Sequence, residues 1–83
     1  MLTRMWRAKN RAVEIVLQAS RREAAVSQRE LVERLPEWLG WDQTTLAKVE
    51  TGRRRLDLVE FLELAKALKL DPLTLLERVA HWR

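Results

Sequence analysis

Residues 26–52 read VSQRELVERLPEWLGWDQTTLAKVETG. The stretch divides into two short amphipathic helices, each with its own start signal, closed by a glycine. Ser27 with Glu30 three residues on is a capping box. The hydroxyl takes a free N–H of the first turn and the carboxylate reaches back to the cap residue. Leu31, Val32 and Leu35 then share one side of the helix, the side that must be buried. Pro36 ends it, because the residue before a proline avoids the right-handed helical region. After a connector at 36–41, PEWLGW, Asp42 is an N-cap. Leu46, Val49 and Glu50 point inward from the helix it opens, and Gly52 stands at the left-handed stop. Arg53, Arg54 and Arg55 follow at once.

Outward from this stretch the chain continues as helix. It has two glycines and two prolines, and no apolar alternation lasts long enough for a strand. An all-α fold of five helices is expected. The first runs from about Leu2 to Glu23, with Ala12, Val13, Val16, Leu17 and Ser20 on its inner stripe and Arg4, Arg11, Gln18 and Arg22 in water. Met5 and Trp6 are either lids on the core or part of an interface. The fourth helix begins at Asp57, where Glu60 repeats the capping-box spacing, and turns Phe61, Leu62, Ala65 and Leu68 inward. The fifth opens at Asp71–Pro72, an N-cap followed by proline at the first helical position, and reaches about His81. Leu73 and Leu76 are expected to meet the core. Leu75, Val79 and Trp82 lie on another face, which reads as a homodimer contact.

Eighty-three residues make one domain, 1–83, with a small core. The net charge is +4, which favours an acidic partner. The excess is concentrated in the first 34 residues and at Arg53–Arg55, because residues 56–83 are slightly acidic. There are no cysteines, so disulfides and cysteine-based zinc sites are excluded and a cytoplasmic location fits. No apolar run approaches a membrane span, and arginines and lysines interrupt the N-terminal hydrophobics where a secretory signal would need a continuous run. No membrane association is expected. His81 is the sole histidine and has no cluster of ligands beside it, so no metal, catalytic role or cofactor is expected. The chain shows no nucleophile–base pair, carboxylate dyad or phosphate loop, and an enzyme is not expected.

With Leu46 and Val49 buried, the helix after Asp42 leaves Gln43, Thr44, Ala47 and Lys48 on its outer face. These are short or hydrogen-bonding, and none is acidic. Such a face suits a major groove: Gln can take the adenine N6/N7 edge, Lys can donate to guanine O6/N7, and Thr or Ala methyls can touch a thymine methyl. Gln28 and the free N–H groups opening the previous helix, together with Arg53, Arg54 and Arg55, would hold phosphates.

SQRELVERL…WDQTTLAKVETGRR, with ELAKALKLDP further on, resembles the helix-turn-helix family of phage Cro and repressor proteins, the Xre family, over about Leu17–Leu76. The resemblance implies a five-helix repressor-like domain that binds double-stranded DNA, as a homodimer on a palindromic operator. It implies base contacts from Gln43, Thr44 and Lys48. It implies phosphate contacts from Gln28, Thr45, Arg53, Arg54 and Arg55. It also implies a structural ion pair between Glu50 and an arginine of the first helix, Arg21 by the family spacing. A carboxylate facing inward beside Val49 needs such a partner. One departure stands out: the connector at Pro36–Trp41 is about four residues longer than the usual three- or four-residue turn, with Trp38 and Leu39 as a folded-back plug and Trp41 as a staple. Phage-type repressor, restriction–modification controller and antitoxin all fit. A different class is a protein-interaction module whose main partner is another protein, such as a toxin.

Overall fold

Five α-helices form among the described residues: α1 (Leu2–Glu23), α2 (Gln28–Arg34), α3 (Gln43–Glu50), α4 (Leu58–Ala67) and α5 (Pro72–His81). The computed structural model describes the backbone of residues 2–82 and the side chains of residues 10–82. The side chains of Arg4, Met5, Trp6, Arg7 and Lys9 lie outside that range. No strand occurs among the described residues.

Start signals are where local chemistry places them. Ser27 accepts from the Glu30 N–H at 3.0 Å while the Glu30 carboxylate accepts from the Ser27 N–H at 3.3 Å. Asp57 and Glu60 form the same reciprocal pair opening α4. Asp42 caps α3 through the Thr45 N–H, and Asp71 caps α5 ahead of Pro72. The stops share one device. In α1, α3 and α4 the chain turns left-handed and two N–H groups return to the last helical turn. Gly52 fills that position after α3, but Ala25 fills it after α1 and Lys69 after α4, at φ 58° and 59°. A side chain there costs roughly 1–2 kcal/mol.

The core gathers Val16 and Leu17 of α1, Leu31 and Leu35 of α2, Leu46 and Val49 of α3, Leu64, Ala65 and Leu68 of α4, and Leu75 of α5. α5 leans on α1 and α4, and α3 on α1 and α2. Two inner stripes differ from expectation. In α4, Leu64 is buried while Leu62 faces water. In α5 the faces are exchanged: Leu75 is fully buried and Val79 packs against the core, while Leu73 and Leu76 are 67% and 52% exposed. Leu75 is therefore no dimer contact, and Trp82 is a partly exposed residue at the helix end. Both α5 stripes are apolar, so helical spacing does not choose between them. Tertiary contacts do: Arg78, one turn beyond Leu75, binds Ser20 Oγ and Glu23 of α1 at 3.1 and 3.2 Å.

The long connector is ordered. Residues Glu37–Leu39 form a single 3-10 turn that ends at Gly40, left-handed at φ 72°. Leu39 and Trp41 pack on the core. Trp38 stays largely in solvent, so only half of the anticipated plug forms.

Candidate nucleic-acid interface

α3 turns Leu46, Val49 and Glu50 into the protein. The opposite face carries Gln43, Thr44 and Lys48, all exposed, with Ala47 half-buried between them. Asp42 is the acid beside this face. It accepts from the Thr45 N–H at 2.8 Å and the Thr45 hydroxyl at 2.9 Å, and these bonds hold its carboxyl below the usual carboxylate range. The same geometry alters the place of Thr45. A hydroxyl has one hydrogen to donate, and in this structure it goes to Asp42.

Behind the exposed face runs a chain of hydrogen bonds into the core. Gln43 Nε2 donates to Gln28 Oε1 at 3.4 Å, and Gln28 Nε2 donates to Glu50 Oε1 at 3.0 Å. Arg21 grips the same carboxylate with two nitrogens, Nε to Oε2 at 2.7 Å and Nη2 to Oε1 at 3.0 Å. Its remaining arm donates to the Val26 carbonyl at 3.0 Å, in the turn between α1 and α2. Three helices thus meet at Glu50, and the Arg21 guanidinium is held more firmly charged by that carboxylate. Gln28 stands at the first position of α2 with its side chain half-buried, tied to α3 at both of its polar atoms.

Gly52 closes α3 at φ 78°, and the Arg53 N–H returns to the Lys48 carbonyl at 2.8 Å. The Glu14 carboxylate of α1 occupies the space that a side chain at 52 would need. Glycine suits this backbone angle, and a side chain here would also have to displace the Glu14 carboxylate.

The three arginines after it do not form one group. Arg53 and Arg55 expose their side chains. Arg54 folds back instead, donating Nη1 to Glu60 Oε1 at 3.0 Å and Nη2 to Glu60 Oε2 at 2.7 Å. Its guanidinium lies 5.1 Å from the centre of the Trp41 ring, a cation–π distance. Trp41 Nε1 donates to Glu60 Oε2 at 3.3 Å. Arg54 is therefore clamped to Glu60 and Trp41 in this structure, where its place in the triplet suggested a side chain extended into solvent. Glu60 receives these bonds besides its own capping bond from Asp57, and its carboxyl is lowered to about 2, chiefly by Arg54. The capping spacing reveals Glu60 in the sequence; nothing local reveals its links to residues 41 and 54.

Among the described residues, no group of three acidic, histidine or cysteine side chains could hold a metal ion, and no helix is long and apolar enough to cross a membrane.

The pattern of the chain matches the family model described as a helix-turn-helix domain over residues 15–79. Among solved structures, the chain is similar to an XRE-family like protein from Pseudomonas syringae pv. tomato str. DC3000. The two are 30% identical, the match covers 95% of this chain and 92% of that one, and the TM-score is 0.81. No curated protein matches the chain.

Proposed function

Because the chain belongs to the Xre-type helix-turn-helix family of DNA-binding regulators, we propose that it acts as a repressor or controller of transcription, binding a palindromic operator in the cytoplasm as a homodimer. Gln43, Thr44 and Lys48 read base edges. Arg53 and Arg55 hold phosphates, joined by Gln28, whose amide carries two N–H groups and gives one to Glu50. The observation that carries the reading is the exposed, acid-free face of α3 held from behind by the Gln43–Gln28–Glu50–Arg21 chain. A side chain that must find one base edge gains from being placed before it arrives.

The dimer contact is assigned to a new face. Leu58 of α4 and Leu76 of α5 flank a groove of about 200 Å³ that Val13, Leu56, Phe61 and Val79 also line. Leu62 and Leu73 extend the exposed apolar surface along the same two helices. A two-fold contact needs projections and a recess on one surface, and this face has both. Two subunits would set their α3 helices one DNA turn apart, about 34 Å. The same face favours a second reading, a module whose main partner is another protein, such as a toxin.

A salt titration against duplexes selected from a random pool, and against a random-sequence duplex, separates the two readings. The regulator reading expects tighter binding to the selected duplex, and a log–log slope of roughly −0.9 per phosphate contacted. Equal affinity for both duplexes overturns it. Sedimentation at micromolar concentration tests the dimer, and a strict monomer counts against it.

A further inference from the structure

Both ends of α3 are tied to one carboxylate. Trp41 immediately precedes the N-cap Asp42, and Arg54 lies two residues beyond the terminal Gly52. Each donates to Glu60, a residue of the first turn of α4, and Trp41 and Arg54 also stack on one another. The carboxylate is largely buried, with a side-chain exposure of 10%. It is anchored in turn by the Asp57 N–H at 3.0 Å. The long connector therefore does not leave α3 loose. It brings Trp41 round to the site where the loop after α3 also returns.

We infer that Glu60 is the positioning residue for base recognition, a latch that brackets the two ends of α3 and sets the angle at which Gln43, Thr44 and Lys48 are presented. It also withholds one of the three loop cations from the phosphate backbone. Phosphate contacts carry affinity without sequence information, whereas base contacts carry specificity. Holding Arg54 inside keeps the non-specific component down while the helix it brackets is held in register. The latch thus acts on the ratio of specific to non-specific binding, a quantity that general stability of the fold does not set. The inference rests on α3 being the base-reading helix.

The test uses Glu60→Gln in the full chain. Glutamine keeps the shape, but its NH2 group cannot accept from Arg54, and the bidentate pair is lost. The probes are a duplex selected by the wild-type protein from a random pool and a random-sequence duplex of equal length. The expected result is a ratio of affinities reduced about tenfold. The salt slope on the random duplex should steepen by about 0.9 as Arg54 reaches a phosphate. Circular dichroism confirms that the variant is folded at the assay temperature. Trp41→Phe, which keeps the ring beneath Arg54 and removes only the Nε1–H, provides a milder version and is expected to lower the ratio about threefold. A folded variant of either kind with an unchanged ratio overturns the inference.

Amide hydrogen exchange separates failure of the latch from failure of the DNA reading, because it needs no duplex. In Glu60→Gln the α3 amides should accelerate about tenfold more than those of α1 and α2. Unchanged α3 exchange, or equal acceleration of all five helices, overturns the latch whatever the protein binds.

Discussion

Two arginine–glutamate pairs hold α3, and they differ in depth and reach. Arg21–Glu50 is nearly closed to water, with side-chain exposures of 11% and 1%, and joins α1 to the inner side of α3. Arg54–Glu60 is shallower, at 37% and 10%, and joins the two ends of α3 to α4. Both are bidentate. What separates them is what surrounds the carboxylate. The Glu50 side chain is almost fully buried, so losing its partner leaves a charge with nowhere to go. Glu60 lies nearer the surface, where water can replace part of a lost bond. The deep pair should thus govern whether the domain folds, and the shallow pair how α3 is presented.

The comparison breaks most readily at Glu50. Glu50→Ala leaves Arg21 buried and unpaired and is expected to cost about 3–5 kcal/mol, much of the stability of so small a domain. Thermal unfolding by circular dichroism checks this, and an unchanged melting temperature would show the pair to be ornamental. Glu60→Gln should cost less, about 2 kcal/mol, as a hydrogen-bonded charged contact near the surface. Its pH dependence sharpens the contrast. The Glu60 carboxyl is lowered from about 4.5 in the unfolded chain to about 2 in the folded one. Its stabilisation is therefore complete above about pH 4.5 and is lost as pH falls toward 2. Stability curves of wild type and Glu60→Gln should converge over that window. Curves that stay parallel through it would place the Arg54–Glu60 contact elsewhere than in the charged form.

Gly52 belongs to the deep side of the comparison, since it closes α3 beside the Glu14 carboxylate of α1. Gly52→Ala combines a left-handed angle with displacement of the Glu14 carboxylate. Urea titration should show a loss of about 1–2 kcal/mol. The smallest expected effect runs the other way. Ala25 holds the same left-handed conformation in the turn that offers Arg21 the Val26 carbonyl. Ala25→Gly relieves that angle and should gain about 0.5–1 kcal/mol, seen as a melting temperature raised by a few degrees. A decrease would mean that the turn depends on the methyl group.

The deep pair and the shallow one also differ in how well they can be read from residues alone. Ser27, Asp42, Asp57 and Asp71 announce the helix starts because a cap acts within three residues. Glu50 is conspicuous because it stands on the buried side of its helix beside Val49, which demands a cation, and the family resemblance supplies Arg21. Glu60 gives no such sign. Its spacing from Asp57 already accounts for it as a cap, and its other donors come from far along the chain. Arg54, seen beside Arg53 and Arg55, reads as one cation of three until Trp41 is brought next to it. The exchanged faces of α5 have the same origin, two apolar stripes of equal local merit, decided by what α1 and α4 present. Ala25 and Lys69 hide their helix ends because neither is the residue that a left-handed stop favours.

The central claim is that α3 reads bases through Gln43, Thr44 and Lys48. The direct measurement compares wild type with the triple variant Gln43→Ala, Thr44→Ala, Lys48→Ala on the selected and random duplexes at one salt concentration. The account predicts that the variant stays folded, loses its preference for the selected duplex by a factor of at least about a hundred, and binds the random duplex only slightly less tightly. A variant that keeps the wild-type preference would contradict it.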